Sequence, residues 1–281
     1  MAAKYAPIQA FEAKQLSVNL LDDPDNFYMH NRRYATSVIL QFVYGRRVPV
    51  CTLPNQRVML MTGDCEEVRR VYGVLGRFVT YRRPGSFLVD TFPSLADIPL
   101  YNALSNWKQV GRKIHEADSE VFLSFWNQMR KEIEAGTAPH SFGRDFVQSN
   151  YQAQGLDELD AAYTAYLSYP IGSNCSGAMI EAGSETTSMQ LNNMLIAVLS
   201  NPETIVRAHE ELDRVLGSDR PPTFDDVPKL PYINAMVKVH SASAISTDPQ
   251  EIMRWRPINK FGQNHFATQV MKLQLLRLIS G

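Results

Sequence analysis

The segment GAMIEAGSETTS, residues 177–188, is the stretch from which the fold of this chain can be worked out. We predict that it lies inside a helix, although a glycine there costs about 1 kcal/mol relative to alanine and threonines add crowding. One interpretation is that small residues let this helix pack closely against a neighbour. The other is chemical: Gly183 leaves room for a flat group beside the backbone, while Glu185 and Thr186 set an acid beside an alcohol, a pair that can relay protons.

Apolar residues at helical spacing predict further helices before this segment. They indicate two helices within residues 10–45 around a turn at 22–26, a helix over 66–79, and a long amphipathic helix over 101–136. Residues 87–100 contain two prolines and are predicted to be irregular. Strand signals are weak, so the sequence predicts a mostly α chain.

Helix-end signals are clear in the later part of the chain. Asn201 and Pro202 are typical of a helix start, and Gly217 is typical of the end of the same helix. Residues 223–226 resemble a capping box in which aspartate replaces glutamate, and Pro231 is predicted to begin another helix.

Composition excludes several classes of protein. The 281 residues include 28 Lys+Arg and 29 Asp+Glu, and this net charge of -1 disfavours nucleic acid as a partner. No run approaches the roughly 18 apolar residues of a membrane-spanning helix, and no signal peptide is evident, so we expect neither an anchor nor export. The cysteines Cys51, Cys65 and Cys175 lack the spacing of a zinc site or disulfide framework, and we expect ordinary thiols at Cys51 and Cys65.

The order of several short motifs carries a family resemblance. AGSETT at 182–187 is followed by NPE and AHEELD within 201–213, then PKLPY at 228–232, and finally EIMR with WRP at 251–257. This succession resembles the C-terminal half of a cytochrome P-450. Upstream, LLDDP and PGSFLVDTFP are similar to fungal microsomal members, in particular oxidoreductases of the sterigmatocystin-pathway type.

The resemblance implies a mostly α, incomplete cytochrome P-450 fold with little β structure. It implies a haem-dependent monooxygenase of fungal secondary metabolism, with an NADPH-dependent reductase as partner and an apolar small molecule as substrate. Intact members sit in the endoplasmic reticulum membrane. The implied roles are proton delivery by Glu185 and Thr186, cofactor contact at Ala182 and Gly183, and a structural E-x-x-R pair, which is Glu251 with Arg254.

The sequence also departs from this family. Haem-thiolate chemistry needs a cysteine sulfur on the iron, yet no cysteine follows Arg254. We therefore expect residues 1–265 to be a partial domain that is truncated at both ends, residues 266–281 to be a non-homologous tail, and the chain as written to be inactive. Two alternatives stay open: a non-enzymatic helical remnant or interaction protein, and an unrelated helical enzyme with Glu185 as general base.

Two internal stretches are candidate insertions, residues 166–176 and 239–250. Joining Lys238 directly to Glu251 would give an unbroken amphipathic helix. Because valine codons begin with GT and a glutamine codon can end in AG, we hypothesise that codons 239–250 are a retained intron.

Overall fold

The computed structural model describes residues 5–49, 65–81, 83, 85–149, 152, 155–167, 179–217 and 220–245, without the side chains of 163–167, 179, 181–182 and 239–245. These residues form helices and turns and contain no β-strand, which confirms the prediction of a mostly α chain. The α-helices are α1 (Ala6–Asp22), α2 (Phe27–Tyr44), α3 (Glu66–Tyr81), α4 (Leu88–Thr91), α5 (Pro99–Leu104), α6 (Trp107–Glu134), α7 (Phe142–Gln148), α8 (Glu158–Leu167), α9 (Met179–Ser200), α10 (Pro202–Leu216) and α11 (Pro231–Ile245). Short 3-10 helices occupy Pro24–Asn26, Pro93–Asp97 and Phe224–Lys229.

The chain divides into two compact units. The central unit comprises residues 36–184, and the terminal unit comprises residues 1–35 and 185–281. Helices α2 and α9 each contribute residues to both units.

The core of the central unit is built around α6. This helix packs against α3, α7 and α8. Trp126 is completely buried, and its indole Nε1 donates to Glu158 Oε1 at 3.4 Å. An ion pair at 2.6 Å between Arg77 and Asp118 also joins α3 to α6. The buried apolar residues of this core are Leu40, Val43, Tyr44, Val48, Cys65, Val68, Val71, Val74, Val121, Phe122, Phe125, Trp126, Met129, Ala161, Ala162 and Ile180.

The terminal unit contains several buried polar contacts. Glu12 of α1 accepts a hydrogen bond from Arg33 of α2 at 2.8 Å. Glu211 of α10 is buried, and its two carboxylate oxygens accept the backbone N–H groups of Tyr232 and Ile233, each at 3.0 Å. The free N–H groups at the start of α11 therefore find their acceptors on α10.

The stretch predicted to be irregular contains helical turns instead. Within 87–100 lie α4, the 3-10 helix Pro93–Asp97 and the start of α5. Pro93 and Pro99 each stand at the beginning of one of these elements, where a proline has no N–H to leave unpaired. The prolines thus start short helices, while they separate one helix from the next.

Other sequence predictions hold with local differences. The capping box at 223–226 is confirmed, with Asp226 accepting from the backbone N–H of Thr223 at 3.0 Å. Gly217 ends α10 with a φ of 67°, as predicted. Asn201 precedes α10 but does not cap it with its side chain, because its amide donates to Ala197 O at 2.9 Å.

Two further observations bear on the predicted features. Cys65 is disulfide-bonded, so the expectation of an ordinary thiol at this position is wrong. Helix α11 runs through Ile245 and thus extends into the candidate insertion 239–250. Among the described residues, no helix combines the length and apolar character that a bilayer crossing needs.

Candidate functional site

Helix α9 carries the AGSETT motif, residues 182–187. It runs over Met179–Ser200, so the residues from Ala182 to Thr187 lie in the first half of a continuous helix. The prediction of a helix here is confirmed. Successive residues in this helix point about 100° apart, so Glu185 and Thr186 share a turn and face different directions.

Gly183 lies close to Ile39 of α2. A Cβ atom at Gly183 would stand 3.0 Å from Ile39 Cδ1 and 3.1 Å from Ile39 Cγ1, closer than nearly all real Cβ contacts. The space beside this glycine is therefore filled by the Ile39 side chain. Close helix packing accounts for a glycine at this position, and contact with a haem remains a prediction.

Ser184 is held by a contact that sequence reasoning did not find. The hydroxyl of Tyr72, on α3, donates to the backbone carbonyl of Ser184 at 3.1 Å, across a separation of 112 residues. Ser184 itself is fully buried, and its Oγ has no hydrogen-bond partner among the described residues. No local pattern in the sequence signals a pairing between residues so far apart.

The predicted acid and alcohol differ in exposure. Glu185 is half-buried, and its Oε2 is buried without a hydrogen-bond partner among the described residues. Thr186 is exposed. One turn further on, the Ser188 hydroxyl donates to the Glu185 backbone carbonyl at 3.0 Å. A half-buried carboxyl group and an exposed hydroxyl residue on one helical turn are groups that can take part in proton transfer.

The other predicted site residues are Ala182, Glu251 and Arg254. Ala182 lies in α9, but its side chain is not among those described. Glu251 and Arg254 lie outside the described residues, so their E-x-x-R pairing stays a prediction.

The described residues do not provide a cysteine thiolate for haem iron. Within the described ranges, no three His, Cys, Asp or Glu side chains come together as a metal-binding group. Cys65 is the one cysteine among the described residues, and it is disulfide-bonded. A thiolate is the ligand that the implied chemistry requires, so these residues do not fit the iron side of the cofactor.

Comparison of the sequence with known proteins identifies the family of this chain. The profile of the cytochrome P-450 family matches residues 76–278, a range that contains α9. The cytochrome P-450 monooxygenase verL of Clonostachys rogersoniana is 37% identical over 270 residues, which cover 95% of this chain and 43% of the relative.

Two further relatives show the same partial coverage. The cytochrome P-450 monooxygenase pgmC of Aspergillus terreus (strain NIH 2624 / FGSC A1156) is 33% identical over 274 residues, which cover 96% of this chain and 42% of that protein. The cytochrome P-450 monooxygenase 113 of Postia placenta (strain ATCC 44394 / Madison 698-R) is 34% identical over 268 residues, which cover 95% and 46% respectively. The chain thus spans less than half the length of these curated relatives. Because the profile match covers most of its residues, the chain belongs to the cytochrome P-450 family.

Proposed function

We propose that the complete protein is a haem-dependent monooxygenase, which inserts one oxygen atom from dioxygen into an apolar organic substrate. The supporting observation is that the family match includes a continuous helix carrying Glu185 and Thr186 in the order AGSETT. The relatives named above are all cytochrome P-450 monooxygenases from fungi. An NADPH-dependent reductase at the endoplasmic reticulum membrane and a place in fungal secondary metabolism belong to the same proposal.

In this proposal the haem, when bound, supplies the activation of dioxygen. Residues of this chain deliver protons and support the fold. Glu185 contributes its half-buried carboxyl group, and Thr186 its exposed hydroxyl residue, to proton delivery, as the family resemblance implies. Ala182 and Gly183 would contact the haem on a side other than the one that Ile39 fills beside Gly183. Glu251 and Arg254 would pair and support the scaffold, as the family resemblance implies.

We further propose that residues 1–281 alone do not perform this reaction. The reason is that no cysteine follows Arg254 and that Cys65 is occupied by a disulfide bond. The test is to add haemin to the purified chain, reduce it with dithionite and expose it to carbon monoxide. We expect no Soret band of the thiolate type, and the appearance of that band would overturn the claim of inactivity.

The gene provides a direct test of the missing ligand. Genomic sequence downstream of Gly281, read in all frames, should contain a cysteine in a glycine-rich context. Mature transcripts should also lack codons 239–250 if these are a retained intron. Transcripts that all keep these codons would contradict the intron hypothesis. A stop codon after Gly281, with no cysteine codon downstream in any frame, would contradict the proposal of a monooxygenase.

The roles of the acid and the alcohol are tested in the complete, haem-loaded protein. Glu185→Gln and Thr186→Ala should each lower the rate of product formation by about 100-fold, the lower end of what positioned proton transfer contributes. Glu203→Gln is a matched control, because it neutralises an exposed carboxylate in the first turn of α10. Equal rates for Glu185→Gln and Glu203→Gln would remove Glu185 from the mechanism.

The second candidate is a non-enzymatic helical protein that keeps the family's helices for packing or for a partner. The observation that favours it is the lack of a thiolate among the described residues. Haemin titration separates the two candidates, since a helical remnant would show no saturable binding. Thermal unfolding of the same sample would show whether the helices form a cooperative core. The unrelated enzyme with Glu185 as general base loses its support, because the chain belongs to the cytochrome P-450 family.

A further inference from the structure

We propose that Tyr72 and Ile39 are positioning residues for the turn of α9 that leads into Glu185, a role that rests on the proposed function of this acid. Both residues contact α9 within the central unit, one through a hydrogen bond and the other through close packing. Neither residue belongs to the AGSETT motif.

Tyr72 fixes the turn by a directional contact. It is half-buried against the core of the central unit, so its ring has little freedom, and its hydroxyl reaches Ser184 O at 3.1 Å. A carbonyl oxygen has two lone pairs, and Ser184 O can therefore accept from Tyr72 in addition to the helical N–H of Ser188. The hydrogen bond adds a tether from α3 to one defined peptide group of α9.

Ile39 fixes the same turn by shape. A methyl group on Gly183 would stand 3.0 Å from Ile39 Cδ1, so Ile39 would have to move by a few tenths of an ångström to admit it. The interior of a protein is densely packed, so a small displacement of α9 at this point would open a gap or create an overlap. Ile39 therefore limits both the distance and the rotation of α9 relative to α2 in the central unit.

The two contacts act on consecutive residues, and Glu185 is the next residue of the same helix. Two contacts of different kinds, on Gly183 and on Ser184, define the position and the rotation of one helical turn. The Cα of Glu185 follows about 1.5 Å further along the axis and 100° around it. A misplacement of about 1 Å at a reacting group can cost about 100-fold in rate, so such control matters for a proton donor.

Residue-resolved amide hydrogen exchange on the chain of 281 residues tests the tether without a cofactor. Tyr72→Phe keeps the ring and removes the donor, and we expect about 2- to 10-fold faster exchange at the amides of Thr187, Ser188 and Met189, which the turn holds. The slowest amides of α6 should be unchanged. Tyr81→Phe is the matched control, since Tyr81 is an exposed tyrosine on the same helix α3.

A second pair of variants tests the packing contact. Gly183→Ala should increase exchange at the same amides by about 10-fold, because its methyl group would stand 3.0 Å from Ile39 Cδ1 and the strain of admitting it should exceed the gain in helix propensity. Adding Ile39→Ala removes Cγ1 and Cδ1, and the exchange rates of the double variant should return to within about threefold of those of Ile39→Ala alone. Unchanged exchange in both Tyr72→Phe and Gly183→Ala would overturn the proposal.

Equal acceleration of exchange in α6 would also overturn the proposal, because Tyr72 and Ile39 would then support the whole unit instead of positioning one turn.

The outcome of the exchange experiment is independent of haem binding. If the exchange results hold and the complete protein fails to form a thiolate-ligated haem, the proposed function is wrong while the local role of both residues stands. If the haem forms and exchange does not respond, only the positioning role is lost.

Discussion

The ion pair between Glu12 and Arg33 allows a strong test of how the terminal unit is held together. Glu12 Oε2 and Arg33 Nη1 are 2.8 Å apart, and the side chains are 0% and 5% exposed. We expect Glu12→Gln to be strongly destabilising. It removes the negative charge while the guanidinium stays buried, and truncating one partner of a buried pair typically costs about 3–5 kcal/mol.

The exposed pair Glu66 and Arg70 provides the comparison. Its atoms are 4.0 Å apart within one helix, and Glu66 is 70% exposed, so Glu66→Gln should change stability by about 0.5 kcal/mol or less. The measurement is urea-induced unfolding followed by far-ultraviolet circular dichroism for the wild type and both variants. The midpoint should fall clearly for Glu12→Gln and remain within error for Glu66→Gln.

A double substitution separates loss of the pair from exposure of a buried charge. Glu12→Leu with Arg33→Met removes both charges and keeps apolar volume, and its stability should return to within about 2 kcal/mol of the wild type. If Glu12→Gln unfolds at the same urea concentration as the wild type, water reaches Arg33 and the argument from burial is wrong. If the double variant is as unstable as Glu12→Gln, the contribution of Glu12 is packing and not charge.

Three smaller predictions follow from individual residues. Tyr44 is fully buried, its hydroxyl has no hydrogen-bond partner among the described residues, and burial raises the pKa of its phenol, so Tyr44→Phe should stabilise the chain by about 1 kcal/mol in urea unfolding. The Arg220 hydrogen bonds, followed by those from Thr223, lower the pKa of Asp226. The stabilisation of the folded state by ionised Asp226 is therefore complete above the unfolded-state pKa of about 4 and is lost as the pH falls below it. The stability difference between the wild type and Asp226→Asn should consequently shrink on acidification below about pH 4. A difference that persists at acid pH would contradict this linkage. Gly45 and Gly85 both have positive φ, of 70° and 84°, but only Gly45 has a neighbour in the space of a Cβ, so Gly45→Ala should lower the melting temperature more than Gly85→Ala does.

Local signals in the sequence predicted those parts of the fold that depend on neighbouring residues. The turn at 22–26 contains a 3-10 helix between α1 and α2, and Gly217 ends α10 with a positive φ, since both depend on residues a few positions apart. Asn201 shows the limit of such signals, because its amide found an acceptor in the preceding helix α9. A side chain with two possible partners cannot be assigned from propensity alone.

The helix that carries the candidate residues was predictable from the sequence, but the contacts that support this helix were not. The motif order identified α9 as the helix of interest, and the structure describes that helix from Met179 to Ser200. The hydrogen bond of Tyr72 to α9 was not predictable from the sequence, because its acceptor is a backbone carbonyl. Any residue type at position 184 would present the same acceptor. Every residue has a backbone carbonyl, so the type of the accepting residue does not indicate such a contact.

The glycine that first suggested chemistry shows how the two interpretations of the segment are related. A missing Cβ creates space in one direction only, and at Gly183 that direction is occupied by Ile39. The cost of about 1 kcal/mol for a glycine in a helix is thus offset by closer contact between α9 and α2. Gly183 alone would therefore be no indication of a cofactor, and the family assignment depends on the order of several motifs. If close packing at this glycine sets the position of the following acid, the structural and the chemical interpretation describe the same residue. The recovery of local exchange in Gly183→Ala on addition of Ile39→Ala is the result that this argument requires.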